Sequence, residues 1–304
     1  MPLVTRTPLA FQPHPARRVL RLLSCIRLSE VLVLQGSPLL GALFAAGHPI
    51  LARCAAMALL AAGSILLIAH VFVLNDWSGM SYDARDPHRS KGIFTTRGIA
   101  RNGVGYLSLA LLAAAFLLLS RFGSWTLAIA VAIAGLSAMY SYPGVHLKGV
   151  PVMNSALHFA GGLLHFLLGY SIFTMPDWRG IQIGSFFALI LVAGHLTHET
   201  RDSDSDGLND IRTNAVTFGK MRSLIAGLIL FTLADILLAV LAVCSVVPRP
   251  LAIVLLIVPL QISWYRTAIH SGLTFASIQK LQKRYRTLYA GIGIWTVATL
   301  LFLR

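Results

Sequence analysis

Eight of the eleven Asp and Glu residues in this 304-residue chain fall in two short stretches. The first reads Asn75-Asp76-Trp77-Ser78-Gly79-Met80-Ser81-Tyr82-Asp83-Ala84-Arg85-Asp86, and the second runs from Glu199 through Asp202, Asp204 and Asp206 to Asp210. The remaining acids are Glu30, Asp177 and Asp235. Carboxylates gathered in this way repel one another unless a cation offsets their charge, so each stretch reads as part of a divalent-metal site. Carboxylate oxygen suits Mg²⁺, which takes one or two protein carboxylates and completes its shell with water and substrate phosphate. Cations stand among the acids: Arg85, Arg89, Lys91 and Arg97 near the first stretch, Arg201 and Arg212 near the second. Guanidinium forks match phosphate oxygens in two-point contacts. Acids for a metal beside cations for phosphate make a candidate diphosphate site.

Spacing refines this. Asp76 and Asp83 are seven apart and share a face if the preceding helix continues through them, although Gly79 permits a bend. Glu199, Asp202, Asp206 and Asp210, spaced 3, 4 and 4, form one helical stripe with Asp204 off it, and Gly207 is a candidate terminator. Like charges at i,i+4 cost a few tenths of a kcal/mol per pair, so helix propensity does not explain the stripe. Asp202-x-Asp204-x-Asp206-Gly207 resembles the start of a Ca²⁺ loop, but its twelfth position is Thr213 where a bidentate Glu is needed.

The elements that carry these residues are apolar. Mean hydropathy is +0.74 and 12% of residues are charged, against about 25% in a soluble domain. A bilayer-spanning helix needs about 20 apolar residues. Nine runs approach that length, near 29–47, 53–75, 102–120, 124–142, 152–174, 181–199, 222–247, 250–268 and 286–303. The fold class is therefore all-α: a polytopic membrane protein with nine transmembrane helices in a single bundle, residues 29–304. Residues 1–28, with five arginines and no clean apolar stretch, are expected to form a cytoplasmic tail rather than a signal peptide. With that tail inside, 20 of the 25 lysines and arginines fall on the cytoplasmic face, a strong orientation bias. The same bias accounts for the net charge of +14 without nucleic acid. Both acidic stretches, after the second and sixth runs, then share the cytoplasmic side. Cys25, Cys54 and Cys244 have no metal-ligand spacing.

These residues resemble the UbiA superfamily of intramembrane prenyltransferases. Asn75-Asp76 with Asp83, followed by Pro87-His88-Arg89, is similar to its first Asp-rich motif. Asp202-x-x-x-Asp206-x-x-x-Asp210-x-Arg212-Thr213, followed by Gly219, is similar to the second, and Tyr140-x-Tyr142-Pro143 with Lys148 looks like its loop after the fourth helix. The resemblance spans about residues 27–303. It implies Mg²⁺ as cofactor, and an isoprenyl diphosphate donor whose tail lies in a lipid-open chamber. The allylic C–O bond ionises, and an aromatic or other electron-rich small molecule attacks the cation. By position, Asp76, Asp83, Asp202 and Asp206 would hold metal, while Asn75, Arg89, Lys148, Arg212, Asn154 and Tyr142 would contact the donor. Three departures mark a divergent member: Gly79 stands where an acid is common, the Pro-x-Arg element comes one residue early, and Asn214-Ala215 replaces the usual Leu-Pro.

Aromatic faces near the site (Phe72, Trp77, Tyr82, Tyr140, Tyr142, Phe159) are suited to a carbocation. Gln35, Asn154 and His158 are polar groups within apolar runs that could reach a chamber, and His165 is more simply a bundle hydrogen bond. His195-x-x-His198-Glu199 is not a known zinc spacing. Asp235 either pairs with a neighbouring helix or marks a proton path. Three other readings predict different behaviour. A terpene cyclase of the same superfamily would make product from donor alone. A cation-coupled transporter would move solute without turnover, and a non-catalytic scaffold would not bind the diphosphate.

Overall fold

The computed structural model describes residues 20–47, 53–83, 94, 98–142, 144–145 and 147–302, the side chains of 81–83 excepted. Among these, every regular element is helical. In chain order they are α1 (Leu28–Leu34), α2 (Gly36–Ala46), α3 (Cys54–Asp83), α4 (Arg101–Leu119), α5 (Ser124–Ser141), α6 (Met153–Tyr170) and α7 (Trp178–Leu208). A short α8 (Asn214–Phe218) precedes α9 (Lys220–Val243), a 3₁₀ segment (Arg249–Ile257), α10 (Val258–His270) and α11 (Phe275–Phe302).

Among the described residues, seven segments are long and apolar enough to cross a membrane: Leu28–Ala46, Cys54–Met80, Arg101–Phe122, Ser124–Ser141, Trp178–Leu208, Lys220–Val243 and Arg249–His270. The chain is an integral membrane protein. The seventh and first join two helical pieces each, α1 and α2 meeting at Gln35. The expected fifth and ninth spans correspond to α6 and α11, which pack in the same bundle but fall outside that set. Asn154, His158 and His165 lower the hydropathy of α6, and Lys280, Lys283, Arg284 and Arg286 lower that of α11.

Two helices carry their acidic motifs past the bilayer core. At 1.5 Å per residue, the 30 residues of α3 and the 31 of α7 each reach about 45 Å, against a hydrocarbon core of about 30 Å. The apolar part of each comes first, so the surplus turns carry Asn75–Asp83 and Glu199–Asp206.

Polar groups inside the bundle bond between helices. Ser64 of α3 meets His165 Nε2 at 3.0 Å, and His70 Nδ1 meets Ser108 of α4 at 2.9 Å. Asp235, fully buried in α9, accepts from Gln261 Nε2 at 2.8 Å and from Tyr289 OH at 3.3 Å. It thus pairs with two neighbouring helices. Asp177 caps α7, accepting from Gly180 N at 2.7 Å and from Tyr170 OH at 3.1 Å. Helices α2 and α6 cross in backbone contact: a Cβ at Gly169 would stand 1.7 Å from the Pro38 carbonyl oxygen, and one at Gly41 2.2 Å from that of Phe166.

Candidate functional site

The first acidic motif is helical. Helix α3 runs unbroken to Asp83, so Gly79 introduces no bend and Asp76 and Asp83 lie on one face. Asp76 is held by Arg27, whose Nε donates to Oδ2 at 3.0 Å and whose Nη2 donates to Oδ1. Arg27 also stands 3.8 Å from Glu30 and over the Phe72 ring. What brings Arg27 there is apolar packing: Leu22, Cys25 and Ile26 press on a cluster built from Val31, Ile68, Ala69, Val73 and Val104. Trp77 lies between the Arg101 guanidinium, 4.9 Å from its ring, and Gly105, where a Cβ would stand 3.2 Å from the indole nitrogen.

The second motif occupies the last three turns of α7. Gly207 does not end this helix, which continues through Leu208. Ile211 N bonds the Asp206 carbonyl at 2.9 Å and Asp210 N bonds that of Gly207 at 3.2 Å, with Asp210 at φ 56°. This is a Schellman termination with Asp210 in the left-handed position usually given to Gly. Asp210 therefore leaves the helical stripe. Asp202 and Asp206 stay on it, half-buried. Arg201 folds back on Asp202, Nε to Oδ1 at 2.6 Å and Nη2 to Oδ2 at 2.8 Å. Its Nη1 reaches Gln282 Oε1 of α11 at 2.8 Å. Asp204, off the stripe and exposed, pairs with Lys220 at 2.8 Å.

Glu199, the first acid of the stripe, turns inward and is 4% exposed. Its Oε1 accepts from Asn154 Nδ2 at 2.5 Å and its Oε2 from Asn214 Nδ2 at 2.9 Å. His195 Nε2 approaches Oε1 to 3.1 Å. Asn214 Nδ2 also donates to Asn154 Oδ1 at 2.9 Å and Ser155 Oγ at 3.0 Å, and its Oδ1 accepts from Val152 N at 2.7 Å. Asn154 Nδ2 further donates to the Lys148 carbonyl at 3.2 Å. This buried knot ties together the loop of Lys148, the start of α6, the end of α7 and the start of α8. Alongside it, the His158 and His195 rings stack at 3.5 Å, and Tyr140 meets His158 edge-on at 5.2 Å.

The expected site residues therefore divide. Asn154 and Lys148 come together with Glu199. Asn154, expected to face a chamber, is fully buried and spends its amide on protein partners. Asp76 and Asp202 each sit in a guanidinium fork. Arg212 is exposed between the Schellman turn and Thr213, which caps α8. Tyr142, 55% exposed, follows the last turn of α5 with its ring over Gly144. Asn75 is half-buried beside Asp76. Arg89 and the side chain of Asp83 lie outside the described residues. Arg27, Gln282 and Asn214 are functional candidates that spacing alone does not reveal.

Asp76, Asp202 and Asp206 offer hard oxygen donors without soft ligands, a set that fits Mg²⁺. Among the described residues, no three His, Cys, Asp or Glu side chains form a ready cage.

The profile of the UbiA prenyltransferase family matches residues 36–276, most of the chain. This chain belongs to the UbiA prenyltransferase family. Its enzymatic class is accordingly that of a prenyltransferase. A comparison with curated proteins found no match. Solved structures with the same fold include a UbiA homologue from Archaeoglobus fulgidus bound to GPP and Mg²⁺, with TM-score 0.68 and 18% identity, covering 92% of this chain and 99% of that one. The same homologue bound to DMAPP and Mg²⁺ has TM-score 0.66 and 16% identity over 92% and 99% of the two chains. A digeranylgeranylglyceryl phosphate synthase has TM-score 0.68 and 16% identity over 93% and 99%. At these identities the likeness establishes the UbiA fold. Within that fold, the departure at position 214 has a local role: the Asn214 amide bridges Glu199, Asn154 and Ser155, contacts a Leu side chain cannot make.

Proposed function

We propose that this chain transfers an isoprenyl group from an isoprenyl diphosphate, with Mg²⁺, to a small aromatic or otherwise electron-rich acceptor within the membrane. One observation carries this reading: two acidic motifs end α3 and α7, each beyond the apolar part of its helix and each with a guanidinium on its first aspartate. The A. fulgidus homologue bound to GPP or DMAPP and Mg²⁺ supports the choice of donor and metal.

Asp76, Asp83, Asp202 and Asp206 hold the metal. When bound, Mg²⁺ offsets the charge that grows on the departing diphosphate. Asn75, Arg89, Lys148, Arg212 and Tyr142 contact the diphosphate donor and orient it. Asn154 acts one step removed, fixing the Lys148 carbonyl and hence that loop. Arg27 and Arg201 occupy the Asp76 and Asp202 carboxylates until metal and substrate take their place. Tyr140 offers a π face suited to an allylic cation. Apolar walls of a lipid-open chamber keep water from quenching it. Helices α6 and α11 supply the eighth and ninth spans. Both motifs and the N-terminus lie on the cytoplasmic side, as the bias of the basic residues favours.

The test is product formation. The full chain in nanodiscs is incubated with Mg²⁺, isoprenyl diphosphates of several lengths and a pool of aromatic acceptors, and products are found by mass. An adduct of acceptor plus isoprenyl group supports the proposal. A hydrocarbon made from donor alone would mean a cyclase, and no turnover of any donor would contradict isoprenyl chemistry.

A further inference from the structure

Helix α11 has two faces of different use. Gln282 is buried and bonded to Arg201 at 2.8 Å. The opposite face carries Lys280, Lys283 and Arg284, then Thr287, Leu288, Gly291 and Trp295, at helical spacing. This stripe is cationic at the end beside Arg201 and apolar beyond it. Across from it stand Trp264 of α10 and Leu251 and Val254 of the 3₁₀ segment. Between them runs a groove of about 1070 Å³, large enough for a long apolar chain. None of its lining residues is acidic. Arg284 lies 5.6 Å above the Trp264 ring, which holds its charge at the mouth. A Cβ at Gly291 would meet nothing within 4 Å, so the groove is open at that position.

We propose that this groove binds an anionic glycerophospholipid, its phosphate head on Lys280, Lys283 and Arg284 and one acyl chain along Leu288, Gly291 and Trp295. The warrant is complementarity along one axis. Three cations without a facing acid attract an anionic head, each by roughly fivefold in affinity at a membrane surface, and the adjoining walls take hydrocarbon. A zwitterionic lipid carries its own cation and gains little from the basic end. The site is on the face of α11 opposite Gln282 and does not depend on the proposed substrate.

The full chain is reconstituted in phosphatidylcholine nanodiscs with a minor fraction of phosphatidylglycerol, and lipid retained after detergent extraction is read by native mass spectrometry. The expected result is retained phosphatidylglycerol in excess over phosphatidylcholine. The triple variant Lys280→Gln/Lys283→Gln/Arg284→Gln should lose the preference. Gly291→Phe, which keeps every charge and places a ring where a Cβ meets nothing within 4 Å, should lose the retained lipid. Equal retention of both lipids by the parent overturns the proposal. So does retention unchanged in Gly291→Phe, which would place the lipid elsewhere, or preference unchanged in the triple variant. Displacement of the phosphatidylglycerol by stoichiometric geranyl diphosphate would make this a donor site and also overturn it.

Discussion

Arg27 and Asp76 are 49 residues apart and joined by a two-point guanidinium–carboxylate pair, Nε to Oδ2 at 3.0 Å and Nη2 to Oδ1. The segment just ahead of α1 thereby reaches the first acidic motif at the end of α3. Both oxygens of a proposed metal ligand are engaged by a cation, so metal and guanidinium compete for the same charge.

Removing that competitor should favour the metal. The pair is partly exposed, and such pairs contribute about 1 kcal/mol or less, which corresponds to about fivefold in an equilibrium. In Arg27→Gln, the Mg²⁺ concentration for half-maximal turnover should fall by up to about fivefold. Titration of activity with Mg²⁺ checks this. An unchanged or raised requirement would show that Arg27 assists metal binding rather than opposing it.

The knot around Glu199 should behave as a unit. Glu199→Gln turns an acceptor into a donor facing the Asn154 and Asn214 amides, and should cost about 1–3 kcal/mol. Asn214→Ala should cost a similar amount. Because the two share a bond, thermal unfolding of the single and double variants should give a coupling of about 0.5–3 kcal/mol. Strict additivity would contradict the network.

Two glycines of α6 should respond in opposite directions. Gly169→Ala drives a Cβ into the Pro38 carbonyl and should destabilise by about 1–3 kcal/mol or more. At Gly161 a Cβ meets nothing within 4 Å, and Gly161→Ala should be neutral or stabilising by up to about 1 kcal/mol. Melting temperatures of the two variants in the same detergent make the comparison. Equal effects would contradict the backbone contact between α2 and α6.

Much of this was legible in the sequence because it depends on short-range pattern. Apolar runs ending in acids mark α3 and α7, and the seven-residue gap between Asp76 and Asp83 correctly gives one helical face once Gly79 is helical. The end of α7 does fall before Asp210, as a glycine at 207 suggests, but Asp210 rather than Gly207 takes the left-handed position. Arg27, Asn214 and Gln282 were not readable as site neighbours, since their partners lie 49, 15 or 60, and 81 residues away and only packing brings them together. Asn154 was noticed for being polar in an apolar run, but its commitment to Glu199 depends on how α6 lies against α7. The mean hydropathy of α6 and α11 is lowered by the polar and basic residues that equip them for the knot and the groove.

The central claim, that the two acidic motifs hold a metal for diphosphate departure, is tested most directly by the release of inorganic diphosphate from an isoprenyl diphosphate by the full chain in nanodiscs with an acceptor pool. Release should require Mg²⁺, stop with chelator, and fall by about 10²-fold or more in both Asp76→Asn and Asp202→Asn while both variants melt close to the parent. Release that persists with chelator, or in the folded double variant, would contradict it.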